Sequence, residues 1–561
     1  MAPMSTERFA AKKVALLRYR LLAIIRLLKP FHIGITDIAF TTIFTAIFVL
    51  GYLLSTYNNI DVPGFGTQTI LSYLVGSAVI WVILLSGLLA VKRWLMRDSR
   101  KQNDLFAGIS GKKFWLLTSL AIFICYLPMV ILSHSVLTPD SWSSIKQALG
   151  DEGLWNLQPV IFTAFVSVFI HIGVWLGDLS IGVLLFSFVQ AAILAMIFAA
   201  VIAWMRREKI SKFGIAVTYI FYALLPINAM AGIIMWKDVL FAGFGLLLLM
   251  LIRQLYIQGN KFFTKKNVFR LLLVAFLFCA WRNNGVYTYI LFSIFAVILN
   301  YKLLFNWRHL LLLSSPIVLF VVYSIFISSI AGSSPLSEAL SVPIQQVART
   351  VKYHSGTISA EDKSTINEVL PLDQLSEKYN PSLSDPVKYS FNNAAFKKDE
   401  GKYIGLWLRL FMDYEKTYLA ALVYNTYGYI YPYFASSSTT DTLQNNAASF
   451  NAINASNTDD IQGKLSSSAY RDLVEGVAPI LRNIGFYSCV LLLGLYIAII
   501  RKKRELTGVF IILSCLFLTT MLGPVNGEFR YLYLFVIATP FIMGAVYSNN
   551  NPEGKKRTYA K

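Results

Sequence analysis

Residues 112–150 read KKFWLLTSLAIFICYLPMVILSHSVLTPDSWSSIKQALG, and their order of charge and hydropathy decides the fold. Two lysines open the stretch and 114–133 are almost wholly apolar. The chain then turns polar, with one carboxylate, Asp140, directly after a proline. A helix of about 20 apolar residues crosses the ~30 Å hydrocarbon core of a bilayer. Short basic loops stay in the cytoplasm. The stretch therefore predicts a span that leaves a cytoplasmic loop and delivers 134–159 to the outer face.

The same pattern recurs in both directions. Spans are predicted near 35–55, 69–91, 181–203, 213–231, 238–257, 309–331, 478–500, 507–523 and 531–548. Two shorter apolar runs, 270–281 and 285–300, bracket WRNNG and predict a helical hairpin whose tip reaches the outer face. The run 160–175 is short for a crossing and reads as a re-entrant or steeply tilted helix, tolerated where it is packed in protein. The expected fold is an all-α polytopic membrane protein with about 12 transmembrane helices plus that re-entrant or tilted helix.

Composition agrees. Of 561 residues, 56% are hydrophobic and only 14% charged, and the mean hydropathy is +0.57; a soluble domain of this size needs more polar surface. The net charge of +20 would suit a nucleic-acid partner if it formed a patch. It is instead dispersed in loops at 12–29, 92–113, 206–212, 261–270, 302–308, 501–504 and 555–561, each beside an apolar run. That is a topology signal, and no basic patch is interleaved with base-stacking aromatics. Cys125, Cys279, Cys489 and Cys515 all lie in apolar runs and read as buried small hydrophobes. The five histidines show no metal-ligand spacing.

The predicted organisation is a cytoplasmic basic segment over 1–33, with 14–28 an amphipathic helix on the membrane surface. An N-terminal transmembrane region covers 34–331, an extracytoplasmic domain 332–477, a C-terminal transmembrane region 478–548 and a cytoplasmic tail 549–561. Both termini are then cytoplasmic and the protein is a multi-pass component of the cell membrane. In the outer domain, turns are expected at Pro371, Pro381 and Pro386. The tyrosine-loaded YLAALVYNTYGYIYPYF (418–434) is expected to lie along the outer leaflet, and 436–470 reads as a polar loop.

This topology gathers charge on one side. Asp140, Asp151, Glu152, Asp238 and Glu528 all fall on the outer face, joined by Lys237, Arg282 and Arg530 against the usual bias. Cations held there suit an anionic ligand. Each residue also has a plainer reading. Asp140 suits the cap of a helix over 141–149. Asp151 and Glu152 suit solvated loop acids, and Asp238 suits a helix first turn. Arg282, Asn283 and Asn284 suit the bracing of a hairpin tip. Glu528 and Arg530 suit an interfacial ion pair, and Trp142, Trp155 and Trp236 suit interface anchors.

Four motifs, in order, resemble a known family. TPDSWSSIKQALG followed by WNLQPVIFTAF resembles the first outer loop of the GT-C superfamily of integral-membrane glycosyltransferases, where an aspartate precedes a His-Pro or Pro-Pro pair. LPINAMAGIIMWKDVLFAGF, CAWRNNGVYTYI and NGEFRYLYLFVIATPF are similar to later motifs of an uncharacterised bacterial branch. Gln158-Pro159 stands here in place of the usual His-Pro. The resemblance implies transfer of a sugar from a polyprenyl-phosphate carrier to an extracytoplasmic glycan acceptor such as a cell-wall polymer. Asp140 would be the general base, and Asp238 or Asp151 a second acid binding acceptor hydroxyls or a divalent ion. Arg282 and Arg530 would clamp the lipid phosphate with Lys237 in reserve, and Glu528, Gln158 and Asn283 would line the substrate site. The alternative is a transporter or flippase of a lipid-linked saccharide, favoured by charges at mid-membrane depth or inverted repeats; neither stands out in the sequence.

Sidedness is directly testable by single-cysteine labelling on whole cells in a cysteine-free background. A reagent that cannot cross the membrane is expected to reach position 445 and not position 208; the reverse pattern overturns the placement of the charge cluster.

Overall fold

The computed structural model describes residues 33–57, 67–95, 108–133, 137–434, 479–523 and 525–548. The expectations for 14–28, 436–470 and 549–561 lie outside the described residues. The described residues are helical, with isolated bridges and no strand, and the chain divides into two compact units, 1–101 and 102–561.

The first unit is an antiparallel pair, α1 (Ile35–Thr56) and α2 (Thr67–Leu95). Asp37, buried, meets Lys92 Nζ at 2.6 Å, and Trp81 donates its indole N–H to Thr42 Oγ1 at 3.2 Å. A carboxylate withdrawn from water without a cation would cost several kcal/mol, so the pair fixes the register of the two helices.

The second unit contains α3 (Gly111–Ser133), α4 (Pro139–Leu149), α5 (Val160–Trp175), α6 (Leu179–Arg207), α7 (Lys212–Leu224), α8 (Pro226–Ile233), α9 (Lys237–Gln258), α10 (Lys265–Trp281), α11 (Asn283–Leu299) and α12 (Trp307–Ser328). After an inserted helical domain come α13 (Ile484–Ile500), α14 (Thr507–Thr520) and α15 (Tyr533–Tyr547). Among the described residues seven helical segments are long and apolar enough to cross a membrane, or eight if the α7–α8 pair, bent by 44°, is one span. Their outward faces carry Leu116, Leu120, Ile124, Val318, Val322 and Ile325, all exposed, an arrangement stable only against lipid. The chain is an all-α, multi-pass membrane protein.

The break between α7 and α8 follows from Pro226, which cannot donate to the helical ladder. The carbonyls freed around α8 need partners in an apolar setting. Gln190 of α6, fully buried, supplies them: its amide reaches the carbonyls of Ala231 at 3.1 Å, Gly232 at 3.2 Å and Ile234 at 2.7 Å. Asn228 completes the repair, donating to Phe221 O at 2.7 Å and accepting from the Tyr533 hydroxyl at 2.9 Å. Chain 234–236 thereby arrives at the first turn of α9 in a fixed position.

The expected hairpin over 270–300 is present as α10 and α11, joined by Arg282 alone in extended backbone (φ −148°, ψ 135°). The inserted domain packs short helices, among them Ser341–His354, Glu400–Asp413 and Glu415–Tyr424, around its own apolar core running from Ile344 to Tyr418. Of the prolines expected in turns, Pro381 lies in one, and Pro371 and Pro386 stand at the starts of short helices. The 418–434 stretch differs from expectation. Tyr418, Tyr424, Tyr429 and Tyr431 are buried in protein, and only Leu419, Val423 and Tyr433 face outward. The phenol of Tyr429 donates to Val525 O at 2.7 Å, a partner far along the chain that composition could not signal.

Close approach of α10 and α11 depends on Gly285, where an added Cβ would lie 2.2 Å from the Phe278 carbonyl oxygen and 3.1 Å from the Phe241 ring. Backbone cannot yield cheaply, so Gly285→Ala is expected to destabilise by roughly 1–3 kcal/mol. Gly76→Ala, with open space around it, is expected to be neutral or stabilising by about 0.5–1 kcal/mol. Thermal unfolding of the purified variants checks the contrast, and equal melting temperatures would contradict it.

Candidate functional site

The site begins at the start of α4. Thr138, not Asp140, caps this helix: its Oγ1 accepts from Ser141 N–H while Thr138 N–H donates to Ser141 Oγ at 3.0 Å. Pro139 fills the first helical position, where no amide is needed. The Thr138 hydroxyl also accepts from the Trp236 indole at 2.9 Å, and Ser141 Oγ donates to Met235 O at 2.9 Å. These bonds seat α4 against the chain entering α9 and leave the Asp140 carboxylate free for other work.

That carboxylate is taken by two donors. Arg530 Nη1 lies 2.6 Å from Oδ2, and the Gln158 amide donates to Oδ1 at 3.0 Å. Gln158 turns its own carbonyl oxygen to Lys237 Nζ at 2.9 Å, and Lys237 also donates to Leu157 O at 3.0 Å. The next residue, Asp238, is buried with Arg282 Nε 3.0 Å from Oδ1. Among the described residues neither Asp238 oxygen accepts a hydrogen bond. Glu528, also buried, lies 3.6 Å from Arg530 Nε.

Three carboxylates and three cations therefore meet where α4, the 151–159 loop, α9, the α10–α11 tip and the 525–532 segment converge. Exposure falls inward: Asp140 and Arg530 side chains are 33% and 21% accessible, Arg282 12% and Asp238 2%. The cluster opens at the Asp140–Arg530 pair and closes on Asp238. Withdrawal from water works against the charge of Asp140. The charges of Arg530 and Lys237, with the hydrogen bonds from Arg530 and Gln158, outweigh it and hold the carboxyl well below the usual carboxylate range.

Aromatic rings steady the guanidinium groups. Tyr531 has Arg282 4.5 Å and Arg530 5.3 Å from its ring centroid, and Trp236 carries Arg530 at 5.0 Å; such contacts contribute about 0.5–2 kcal/mol each. Tyr531 was not anticipated, although it directly follows Arg530, and Trp236 is an arginine platform, not a membrane anchor. Asn526 was also missed. Its side chain accepts from Gly428 N–H at 2.8 Å and donates to Tyr424 O at 2.9 Å, while its own N–H donates to Ser382 O at 2.8 Å. The inserted domain thus grips the loop that carries Glu528 and Arg530. It also pairs with the loop leading to Gln158, through Asn156 N–H to Gly332 O and Gly332 N–H to Leu154 O, both at 2.8 Å.

Two expected members stand apart. Asp151 is exposed just past the C-terminal end of α4, the opposite end of that helix from Asp140. Glu152 beside it pairs with Lys146 at 3.4 Å. Asp151, expected as a possible second acid, therefore stands outside the cluster as an exposed loop residue. Asn283 donates to Asn156 O at 2.7 Å and so braces the hairpin tip against the 151–159 loop. As for a divalent ion, no three His, Cys, Asp or Glu side chains are placed to hold one among the described residues, and the Asp238 carboxylate faces the Arg282 guanidinium.

Residues 151–559 match the model of a family described as a family of unknown function, DUF6020. The chain belongs to that family. The DUF6020 segment holds Gln158, Lys237, Asp238, Arg282, Glu528 and Arg530, and Asp140 falls just before it. No curated protein and no solved structure matches the chain.

The depressed carboxyl of Asp140 makes a pH prediction. A group whose folded pKa lies below its unfolded value near 3.9 contributes stability that is present above that value and lost as pH falls below it. Asp140→Asn is expected to flatten the acid limb of the melting temperature between about pH 5 and 3. Identical acid limbs for wild type and Asp140→Asn would contradict the ion pair.

Proposed function

We propose that the protein is a GT-C-like glycosyltransferase that moves a sugar from a polyprenyl-phosphate carrier to an extracytoplasmic acceptor such as a cell-wall polymer. In this reading the chain crosses the cell membrane about 12 times. Loops 134–159 and 525–531 and the domain 332–477 lie outside, and both termini lie inside. The observation that carries the reading is the meeting of Asp140 and Asp238 with Lys237, Arg282 and Arg530 in one half-open cluster at the ends of spans. Charges at helix ends, not at mid-span, favour chemistry at the membrane surface over passage through it.

The cluster suggests how the step would run. Its three acids and three cations balance, so an arriving lipid phosphate competes with Asp140 for Arg530. Arg282, braced by Tyr531, takes a second phosphate oxygen, since guanidinium groups match phosphate oxygens in forked geometry. Release of Arg530 frees Oδ2 and raises the basicity of Asp140. An acceptor hydroxyl then attacks the anomeric carbon and gives its proton to Asp140. The bond from that carbon to the phosphate oxygen breaks, and polyprenyl phosphate leaves with the electron pair. The negative charge gained on the phosphate faces Arg282, Arg530 and Lys237, where it is most strongly stabilised away from water. Asp238, with unused acceptor capacity, orients the acceptor.

The test is transfer by the purified protein in nanodiscs, supplied with a panel of polyprenyl-phosphate sugars and cell-wall glycan. Asp140→Asn keeps shape and the Gln158 bond but cannot take a proton, so transfer is expected to fall at least ~100-fold. Arg282→Lys keeps charge but loses the fork, and donor binding is expected to weaken with the fold intact. Near-normal turnover by Asp140→Asn would remove it as the base. Unchanged donor affinity in Arg282→Lys, with only a lower melting temperature, would make Arg282 a hairpin brace.

A further inference from the structure

A second feature lies at the other end of the second unit. α13 packs against α15, whereas α14 packs against α11. The two pairs diverge, and chain 501–506 joins them below. The result is a cleft of about 600 Å³ between α13 and the α11–α14 pair, with walls that include Phe295, Leu299, Leu495, Ile499, Phe510 and Leu518. Leu299, Ile499 and Leu518 are 63%, 47% and 55% exposed, so the cleft opens sideways toward the lipid phase.

Its closed end is basic. Lys503 also lines the cleft but is buried, its ammonium donating to Ser548 O and lying 3.7 Å from Glu505. Lys502 and Arg504 are exposed at the cleft, and among the described residues neither has a carboxylate partner. Lys502 also adopts a left-handed backbone, φ +53°. It closes the end of α13, with Lys503 N–H donating to Ala498 O at 2.8 Å. Glycine or asparagine would sit there without strain; a lysine costs of order 1 kcal/mol and places a cation over the cleft.

We propose that this cleft holds an acyl chain of an anionic phospholipid whose headgroup phosphate is bound by Lys502 and Arg504. A zwitterionic lipid would cover the walls, but its phosphate is already balanced by its own ammonium and adds no net charge to match two cations. Free phosphate would match the cations and leave the walls open. Only an anionic amphiphile answers both. The proposal does not depend on the sugar-transfer reading, which concerns the opposite end of the bundle.

Native mass spectrometry of the full-length protein, extracted from bilayers of equal phosphatidylcholine and phosphatidylglycerol, tests it. Wild type is expected to retain phosphatidylglycerol over phosphatidylcholine by on the order of tenfold, the scale of two cations near a membrane surface. Lys502→Asn with Arg504→Gln is expected to lose that preference yet still retain neutral lipid. Ser514→Trp, which fills the cleft, is expected to lose bound lipid of both kinds. Inorganic phosphate in excess is expected to leave the retained lipid in place. Equal retention of the two lipids by wild type overturns the proposal, and this comparison needs no variant to fold. A persistent preference in either variant, or displacement by inorganic phosphate, overturns it as well.

Discussion

The 2.6 Å contact between Arg530 and Asp140 joins groups 390 residues apart, and much of the second unit is arranged to make it possible. Neither charge is tolerable alone where it stands, because an ion half-withdrawn from water needs a partner and further hydrogen bonds to offset its lost hydration. Arg530 is held between Trp236 and Tyr531, and Asp140 is held by Gln158. The cap of α4 belongs to Thr138, so the carboxylate is released to face the guanidinium. Removing either charge leaves the other stranded, which makes the contact a constraint on the fold and the natural point at which a charged ligand would intervene.

The bundle supports this contact from both ends. Away from the cluster, Arg253 of α9 reaches Glu208 at 3.4 Å, Ser548 donates to Glu208 at 3.1 Å, and Lys503 donates to Ser548 O. α6, α9 and α15 are thus tied at that end. With α9 held near Arg253, Asp238 is carried about 22 Å away at a rise of 1.5 Å per residue. At the cluster end the inserted domain holds the 525–528 loop through Asn526 and the 154–156 loop through Gly332. A site on loops becomes as well placed as one on helices when those loops are anchored this way.

Much of this was legible in the sequence because lipid imposes its own period. The helices stand close to the expected spans, and Asp140, Asp238, Arg282 and Arg530, read from the sequence as sharing one face, do meet. What stayed hidden depends on contacts between distant segments. Asp140 read as the cap of α4, but the hydrogen bonds between Thr138 and Ser141 give that place to Thr138. Gln158 looked like a departure from a His-Pro pair and proves to link Asp140 to Lys237. Asp151 looked like a second acid because it follows Asp140 closely in the chain, but it stands past the far end of α4. The tyrosines of 418–434 looked interfacial, yet Gly428 and Tyr429 are turned inward by Asn526 and Val525, about 100 residues on. Propensity sees the side chain and not its partner.

The central claim is that a lipid-borne phosphate enters the cluster and takes Arg530 from Asp140. Cryo-electron microscopy of the protein in nanodiscs with a polyprenyl phosphate tests this most directly. The account predicts phosphate density within about 3 Å of the Arg530 and Arg282 guanidinium groups, with the Arg530–Asp140 contact opened. A phosphate bound elsewhere, or one bound while that 2.6 Å contact stays closed, would contradict it.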